Sequence, residues 1–407
     1  MSAASPEPFG PVAYLTGNYP KASHTFIQRE IAALRDLGLA VETFSIRRPG
    51  KGDLIGPEEV AAEAETYYVL ANAKNPANLL KAHFRLLKAG PGRWVKALGL
   101  AVRTARPGVK GMLKQGAYFL EAGMIADQML ARDIRHIHNH FADASSTVAM
   151  LTGALADRPF SFTLHGPAEL FEPESWHLGE KVKRAAFTVC ISDFCRSQAM
   201  LFSDPAYWDR LKIVHCGVAP ERYDGPPPVL DKTLNLLFVG RLTQIKGLRV
   251  LMKAMGLVRE RRPDVTLTLV GDGDDRAWTE AEAARIGGVT LLGYQSQEGV
   301  AEALRNADAL VLPSFAEGVP VVLMEAMAAA RPVIATRVAG VSELVEDSTA
   351  GFLVPPGNER ALADAILALA DADIAAMGEA GRAKVKAEFS TVTEAEKLLV
   401  HFKEVLG

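Results

Sequence analysis

Cysteine and long apolar runs are what this chain has least of. Cys190, Cys195 and Cys216 are its three cysteines among 407 residues. They form no C-x-x-C pair and are odd in number, so a disulfide framework, a zinc site and a redox motif are all disfavoured and reduced thiols in or near a core are expected. No apolar stretch reaches the roughly 18 residues that cross a bilayer. The opening MSAASPEPFG has neither the basic start nor the apolar core of a signal peptide. These absences point to a protein that stays in the cytoplasm.

Acidic residues are missing altogether between Glu65 and Glu121, where Lys74, Lys81, Arg85, Lys88, Arg93, Lys96, Arg103, Arg106, Lys110 and Lys114 stand unopposed. With a net charge of −3 for the whole, the rest of the chain is strongly acidic. Leu79, Leu80, Phe84, Leu86, Leu87, Trp94, Val95, Leu98 and Leu100 interleave with the cations at near-helical spacing, broken at Gly90-Pro91-Gly92 and Pro107-Gly108. A basic amphipathic helical insertion over about 74–114 is the expectation. It is either a solvated face on helices that pack inward or a docking surface for the anionic inner leaflet of a membrane. Nucleic acid is disfavoured as a partner, because the overall charge is negative and no binding motif accompanies the patch.

A chain of this length, with 49% hydrophobic and 23% charged residues, reads as two soluble α/β domains. Strands are expected at Val12–Leu15, Val41–Ile46, Tyr67–Leu70, Ile134–His138, Phe160–Leu164, Phe187–Ile191 and Ile213–Cys216, mostly separated by helical segments, so the sheet is parallel. Thr25-x-x-Gln28 fits a capping box for a helix that starts near Ser23 to Thr25. Residues 1–224 form the first domain, the stiff stretch 225–232 with Gly225-Pro226-Pro227-Pro228 is the linker, 233–388 form the second domain, and 389–407 form a terminal helix.

The second half is organised around PSFAEGVPVVLMEAMAAARPVIAT, residues Pro313 to Thr336. Strand Ala309–Leu312 leads into a Pro-Ser turn, Glu317-Gly318 lie on a loop, and Pro320 is read as the first helical residue, where its missing N–H is no loss. The helix N-terminus then aims free amides out of the carboxyl edge of the sheet, where anionic ligands bind. Glu317 and Glu325 frame that start, and Glu325 falls one turn above Val321. Upstream, LNLLFVGRLTQIKG places Arg241 and Lys246 in a single βα turn after Gly240; no Gly-Lys-Ser/Thr is present, so a P-loop is excluded. Gly271-x-Gly273 lacks the third glycine of a dinucleotide fingerprint. Gly293-Tyr294 is a plausible base-binding turn.

In the first half, Gly17 sits at the first βα turn, either as an ordinary tight turn or to let a ligand approach the backbone. His136, His138 and His140 at spacing two share one face of a strand. With no carboxylate or cysteine at ligand spacing, a cleft lining is favoured over a metal site. His165 follows a strand directly, ahead of Gly166-Pro167.

The pattern PS-x2-EG-x6-EAMA-x3-PV-x-AT resembles the signature of retaining nucleotide-sugar glycosyltransferases of the GT-B fold, family 4, of the exopolysaccharide and colanic-acid type. The resemblance is strongest from Leu234 to Asn358. It implies two Rossmann-like parallel-sheet domains facing across a cleft, an acceptor side in the first and a donor side in the second, with the last helix crossing back to the first domain. Glu317 would contact the donor-sugar hydroxyls and Glu325 the ribose. Arg241 and Lys246 would hold the diphosphate and stabilise the leaving group. The donor would also touch Gly240, Gly271, Tyr294, Gly318, Val319, Pro320 and Val321. His165, in Thr163-Leu164-His165-Gly166, would face the reaction centre, and Gly17, His24 and His140 would belong to an acceptor or phosphate loop. No metal and no cofactor is implied; the nucleotide sugar, UDP- or GDP-linked, is a substrate, and the acceptor is lipid-linked or a saccharide. The sequence departs from the family where Val319-Pro320 replaces a second glycine and Ala330 another. An epimerase of the same fold, or a binding module without turnover, remains as the alternative.

Overall fold

The structure is a computed structural model that describes residues 10–21, 24–50, 52, 54, 56–229 and 233–407. Ser23 and linker positions 230–232 therefore lie outside the described residues. The short apolar runs become two all-parallel sheets, one in each of two units. The first unit comprises the chain up to His215 together with Glu394–Gly407, and the second Cys216–Thr393.

The first sheet holds β1 (Val12–Asn18), β2 (Val41–Arg47), β3 (Tyr67–Tyr68), β4 (His136–His140), β5 (Phe160–Leu164), β6 (Thr188–Cys190) and β7 (Leu211–Ile213), in the order β3-β2-β1-β4-β5-β6-β7. Three expected strands shift. β4 runs later than Ile134–His138, because the Ile134 amide donates to the Met129 carbonyl at the end of the preceding helix, and pairing with β5 reaches His140. β3 stops after Tyr68, where the helix Val69–Ala73 begins, and β7 ends at Ile213.

The capping box at Thr25 is not formed: His24 is the N-cap of helix Thr25–Asp36 and makes no side-chain cap hydrogen bond. That helix and the last one, Thr391–Leu406, bury Ile27, Ile31, Leu34, Leu398, Leu399 and Phe402 in one cluster with Val12, Tyr14, Phe187 and Val189. The basic segment folds as helices Pro76–Ala89, Pro91–Arg103 and Val109–Ala131, the first two started by proline.

The second sheet holds β8 (Asn235–Val239), β9 (Thr266–Val270), β10 (Val289–Gly293), β11 (Ala309–Leu312), β12 (Val333–Thr336) and β13 (Gly351–Val354), ordered β10-β9-β8-β11-β12-β13. In both units the strand order reverses once, beside β1 and β4 in the first and beside β8 and β11 in the second. Ligands of open α/β sheets bind at the carboxyl ends of such neighbours.

Phe402 is fully buried and its ring lies 5.4 to 5.5 Å from those of His136, His138 and Phe187. Phe402→Ala is expected to destabilise the first unit by about 3–5 kcal/mol, read as an earlier urea midpoint in circular dichroism; a loss below about 1 kcal/mol would show that the last helix is dispensable to that core.

Candidate active site

In the second unit the turns after β8 and β11 are locked together by backbone. Phe315 donates its amide to the Ile245 carbonyl at 2.8 Å. Gly247 caps helix Leu248–Arg261 in the left-handed region at φ 70°, and a Cβ there would meet the Pro313 carbonyl oxygen at 2.0 Å. Gly271, at φ 136°, packs as closely on the Gly240 carbonyl.

On this frame Lys246 Nζ donates to Glu317 Oε1 at 2.6 Å, and Ser314 Oγ donates to the same oxygen at 2.5 Å. Ser314 is fully buried and Glu317 nearly so. Pro320 is the N-cap of the helix rather than its first residue: its ψ of 120° is extended, and Val321–Ala328 is the helix proper. Gly318 accepts a hydrogen bond from the Gly340 amide, Val319 is buried, and Glu325 is nearly buried within the helix. The Leu323 amide closes on the Pro320 carbonyl at 3.1 Å; the Val321 and Val322 amides open the helix and, with its dipole, favour an anion. Arg241 is exposed just after β8. Tyr294 follows β10, an edge strand two places from β8, and is half-exposed. The arrangement provides a carboxylate held by Lys246 and Ser314, and an anion-favouring helix start at one sheet edge.

In the first unit, parallel register sets His138 beside Ser161 and His140 beside Thr163. The alternation of side chains therefore zips His136, His138 and His140 against Ser161, Thr163 and His165. His136 Nε2 and His138 Nδ1 meet Ser161 Oγ at 2.6 and 2.7 Å, His138 Nε2 meets Thr163 Oγ1 at 2.9 Å, and His140 Nδ1 meets His165 Nε2 at 3.0 Å. Burial drives the His136 imidazole down to about 3 and holds His138 and His165 well below the usual range. These rings are neutral.

Two expectations are corrected here. His140 is fully buried, facing Glu30 and His165, so it lines no ligand loop. A carboxylate does join the histidines: Glu30, from helix Thr25–Asp36, brings an oxygen within 4.8 Å of ligand atoms of His138 and His140. Both His138 nitrogens are engaged by hydroxyls, those of Ser161 and Thr163. His24 lies among aromatic rings, 4.9 Å from Phe141. At Gly17 a Cβ would meet nothing within 4 Å, which leaves room beside the backbone.

Sequence reasoning passed over Ser314, Glu30, Tyr14, Glu169 and Lys181. Glu169 accepts from the amides of Ala142, His165 and Gly166 at 2.6, 2.9 and 2.6 Å, and so pins the loop that carries His165. Lys181, fully buried, donates to the Ala142 and Asp143 carbonyls, each at 2.8 Å. Ser314 was visible within the central motif; the others lie on elements that only the fold brings together.

Residues 233–372 match the family described as glycosyl transferases group 1. Over 93% of this chain and 96% of the other, the sequence is 27% identical to the amylovoran biosynthesis glycosyltransferase AmsK of Erwinia amylovora. With the same coverage it is 26% identical to WcaL of Escherichia coli K12, whose name assigns it provisionally to colanic acid biosynthesis. Among solved structures, the sucrose-phosphate synthase of Thermosynechococcus elongatus superposes with a TM-score of 0.74 at 19% identity, covering 97% of this chain and 98% of that one. HepE of Anabaena, solved with UDP, superposes with a TM-score of 0.71 at 18% identity over 97% and 100%. The fold is GT-B.

Burial raises the Glu169 carboxyl to about 8, against the pull of its three amides. The folded protein then keeps a proton that the unfolded chain releases near pH 4.5, so the stability tied to that proton is present below pH 4.5 and lost as pH rises through about 8. Compared with Glu169→Gln, the native protein should lose melting temperature progressively from pH 5 to pH 8; a pH-independent difference between the two would show that Glu169 is ionised throughout.

Proposed function

Because this chain is a glycosyltransferase carrying a group 1 domain at residues 233–372, we propose that it moves a sugar from a UDP- or GDP-linked donor to a lipid-linked or saccharide acceptor. Transfer proceeds with retention of configuration, in exopolysaccharide or cell-surface glycan synthesis. The observation that carries this reading is the Lys246–Glu317–Ser314 constellation beside a helix start at the β8/β11 order reversal.

Before a donor arrives, Lys246 and Glu317 satisfy one another. On binding, Lys246 turns to the diphosphate, and Glu317, still held by Ser314, takes the sugar hydroxyls. Arg241, Lys246 and the first-turn amides of Val321–Ala328 stabilise the charge that develops on the departing nucleotide. Glu325 takes the ribose and Tyr294 the base, and the family resemblance assigns His165 to the reaction centre. No step is routed through a metal or a cofactor. The exopolysaccharide assignment is supported by the biosynthetic roles for which AmsK and WcaL are named, and the UDP option by the nucleotide in HepE.

The same reading places the protein in the cytoplasm, on the inner face of the membrane. No helix among the described residues is long and apolar enough to cross a bilayer. What the basic helices show instead is an outward apolar stripe. Leu80, Phe84 and Leu87 on one helix, Val95, Leu98 and Val102 on the next, and Val109, Met112 and Leu113 on the third are all exposed, although Leu86, Leu100 and Phe119 are buried. Exposed lysines and arginines flank each stripe. An interfacial surface of this kind gains from apolar insertion and about 1 kcal/mol per cation near anionic headgroups.

Calorimetric titration with UDP, GDP, ADP and NAD tests the donor site. Tight binding of UDP or GDP alone is expected, and binding of NAD, or of none of them, would overturn the transferase mechanism. Glu317→Ala, Arg241→Ala and Lys246→Ala should each lower turnover by two orders of magnitude or more, about 2.7 kcal/mol of transition-state stabilisation, with unchanged melting of the first unit; near-native turnover in two of them would remove the site. Replacing Lys81, Lys88, Lys96, Arg103 and Lys110 with Gln should release the protein from phosphatidylglycerol vesicles, and unchanged co-sedimentation would discard the membrane surface.

A further inference from the structure

His165 is held by a line of groups that its own loop does not contain. Its Nε2 lies 3.0 Å from His140 Nδ1, with the two rings stacked at 27° and their centroids 5.2 Å apart. On the far side of His140, Nε2 lies 3.2 Å from Glu30 Oε1, and that same oxygen accepts the Tyr14 hydroxyl at 2.9 Å. His140 is shut off from solvent and His165 nearly so. Two ring nitrogens 3.0 Å apart leave room for only one proton between them. Whichever ring donates, the other must accept, and the choice is made at the far end of the line.

The Glu30 carboxylate makes that choice. It offers oxygen acceptors and, when ionised, no donor, so a proton on His140 Nε2 is attracted and a lone pair there is repelled. The 3.2 Å approach is off the ideal hydrogen-bond line, yet across so short a buried gap the charge–dipole attraction suffices to order the two tautomers. With its proton on Nε2, His140 presents a bare Nδ1, and His165 must donate to it from Nε2.

We propose that Glu30 and His140 are positioning residues that fix His165 as the Nε2-protonated tautomer with a set ring plane, so that His165 Nδ1 is the acceptor nitrogen. The catalytic half of this proposal rests on the reading of His165 as a reaction-centre residue; the tautomer half does not. Tyr14 holds Glu30 in place, and the Glu169 carboxyl group accepts the His165 amide.

Nitrogen NMR of the full chain with labelled histidine tests it, since protonated and bare ring nitrogens resonate far apart and the chain has 9 histidines to assign. In the native protein, His165 and His140 should both show a protonated Nε2 and a bare Nδ1. In Glu30→Gln the amide can donate to His140 Nε2, and both rings should reverse. A bare Nε2 on native His165 overturns the proposal even if Glu30→Gln fails to fold, and an unchanged tautomer pattern in a folded Glu30→Gln overturns it as well. With whichever nucleotide sugar the titration identifies, Glu30→Gln should lower kcat for donor cleavage by roughly 10- to 100-fold, the scale seen when an outer partner of an active imidazole is lost, and leave the donor KM within about twofold. Reversed rings with unchanged kcat would overturn the catalytic half alone and place the error in the role given to His165.

Discussion

No side chain fits between Gly247 and the carbonyl of Pro313, and the arrangement of Lys246, Glu317 and Ser314 follows from that. Two loops that leave neighbouring strands would ordinarily be spaced by their side chains. Here they touch backbone to backbone, and the Phe315 amide closes on Ile245. The residue just before the glycine is Lys246, and the contact lets it reach Glu317, four residues beyond Pro313. The ion pair is thus a product of main-chain packing, which is rigid, rather than of two flexible side chains finding each other. Glycine is required twice over at that position, once for the left-handed φ and once for the approach.

The first unit solves the opposite problem. Four histidines inside a sheet would repel one another if charged. Burial keeps His136, His138 and His165 neutral, and parallel register sets two hydroxyl residues opposite the column to take up ring nitrogens. A buried hydrogen-bonded column with one carboxylate at its edge is a system in which the location of a proton carries information. Such a column is held in place by the surrounding aromatic rings of Tyr14, Phe187 and Phe402.

Strand existence and parallel pairing were legible because buried parallel strands read as short apolar runs between turn residues. β8 to β13 fall where the runs fall. Ends were less legible: the β4 boundary depends on an amide used to close the helix before it, and β3 is cut short by a helix whose first residues, Val69 and Leu70, look equally strand-like. In the second unit, Glu317 and Lys246 were readable from local motifs, because each sits in a turn whose glycines and prolines announce it. Glu30 was not, since an internal glutamate on an amphipathic helix has the same sequence signature whether it meets water or a buried imidazole. The basic segment showed its charge and its helical period, but which leucines turned outward was decided by packing against the rest of the first unit.

The helix Thr391–Leu406 completes the core of the first unit although it is encoded after the whole of the second. During synthesis the whole of the second unit has been polymerised before Phe402 is added. At the usual pace of about 5–20 residues per second, the sheet that carries His165 waits some ten to forty seconds with Tyr14 and Phe187 uncovered at one place. The order of completion inverts the order of translation, so the unit made first is the last to acquire its finished core, and a ribosome-bound chain stopped before residue 391 presents an exposed aromatic face to chaperones.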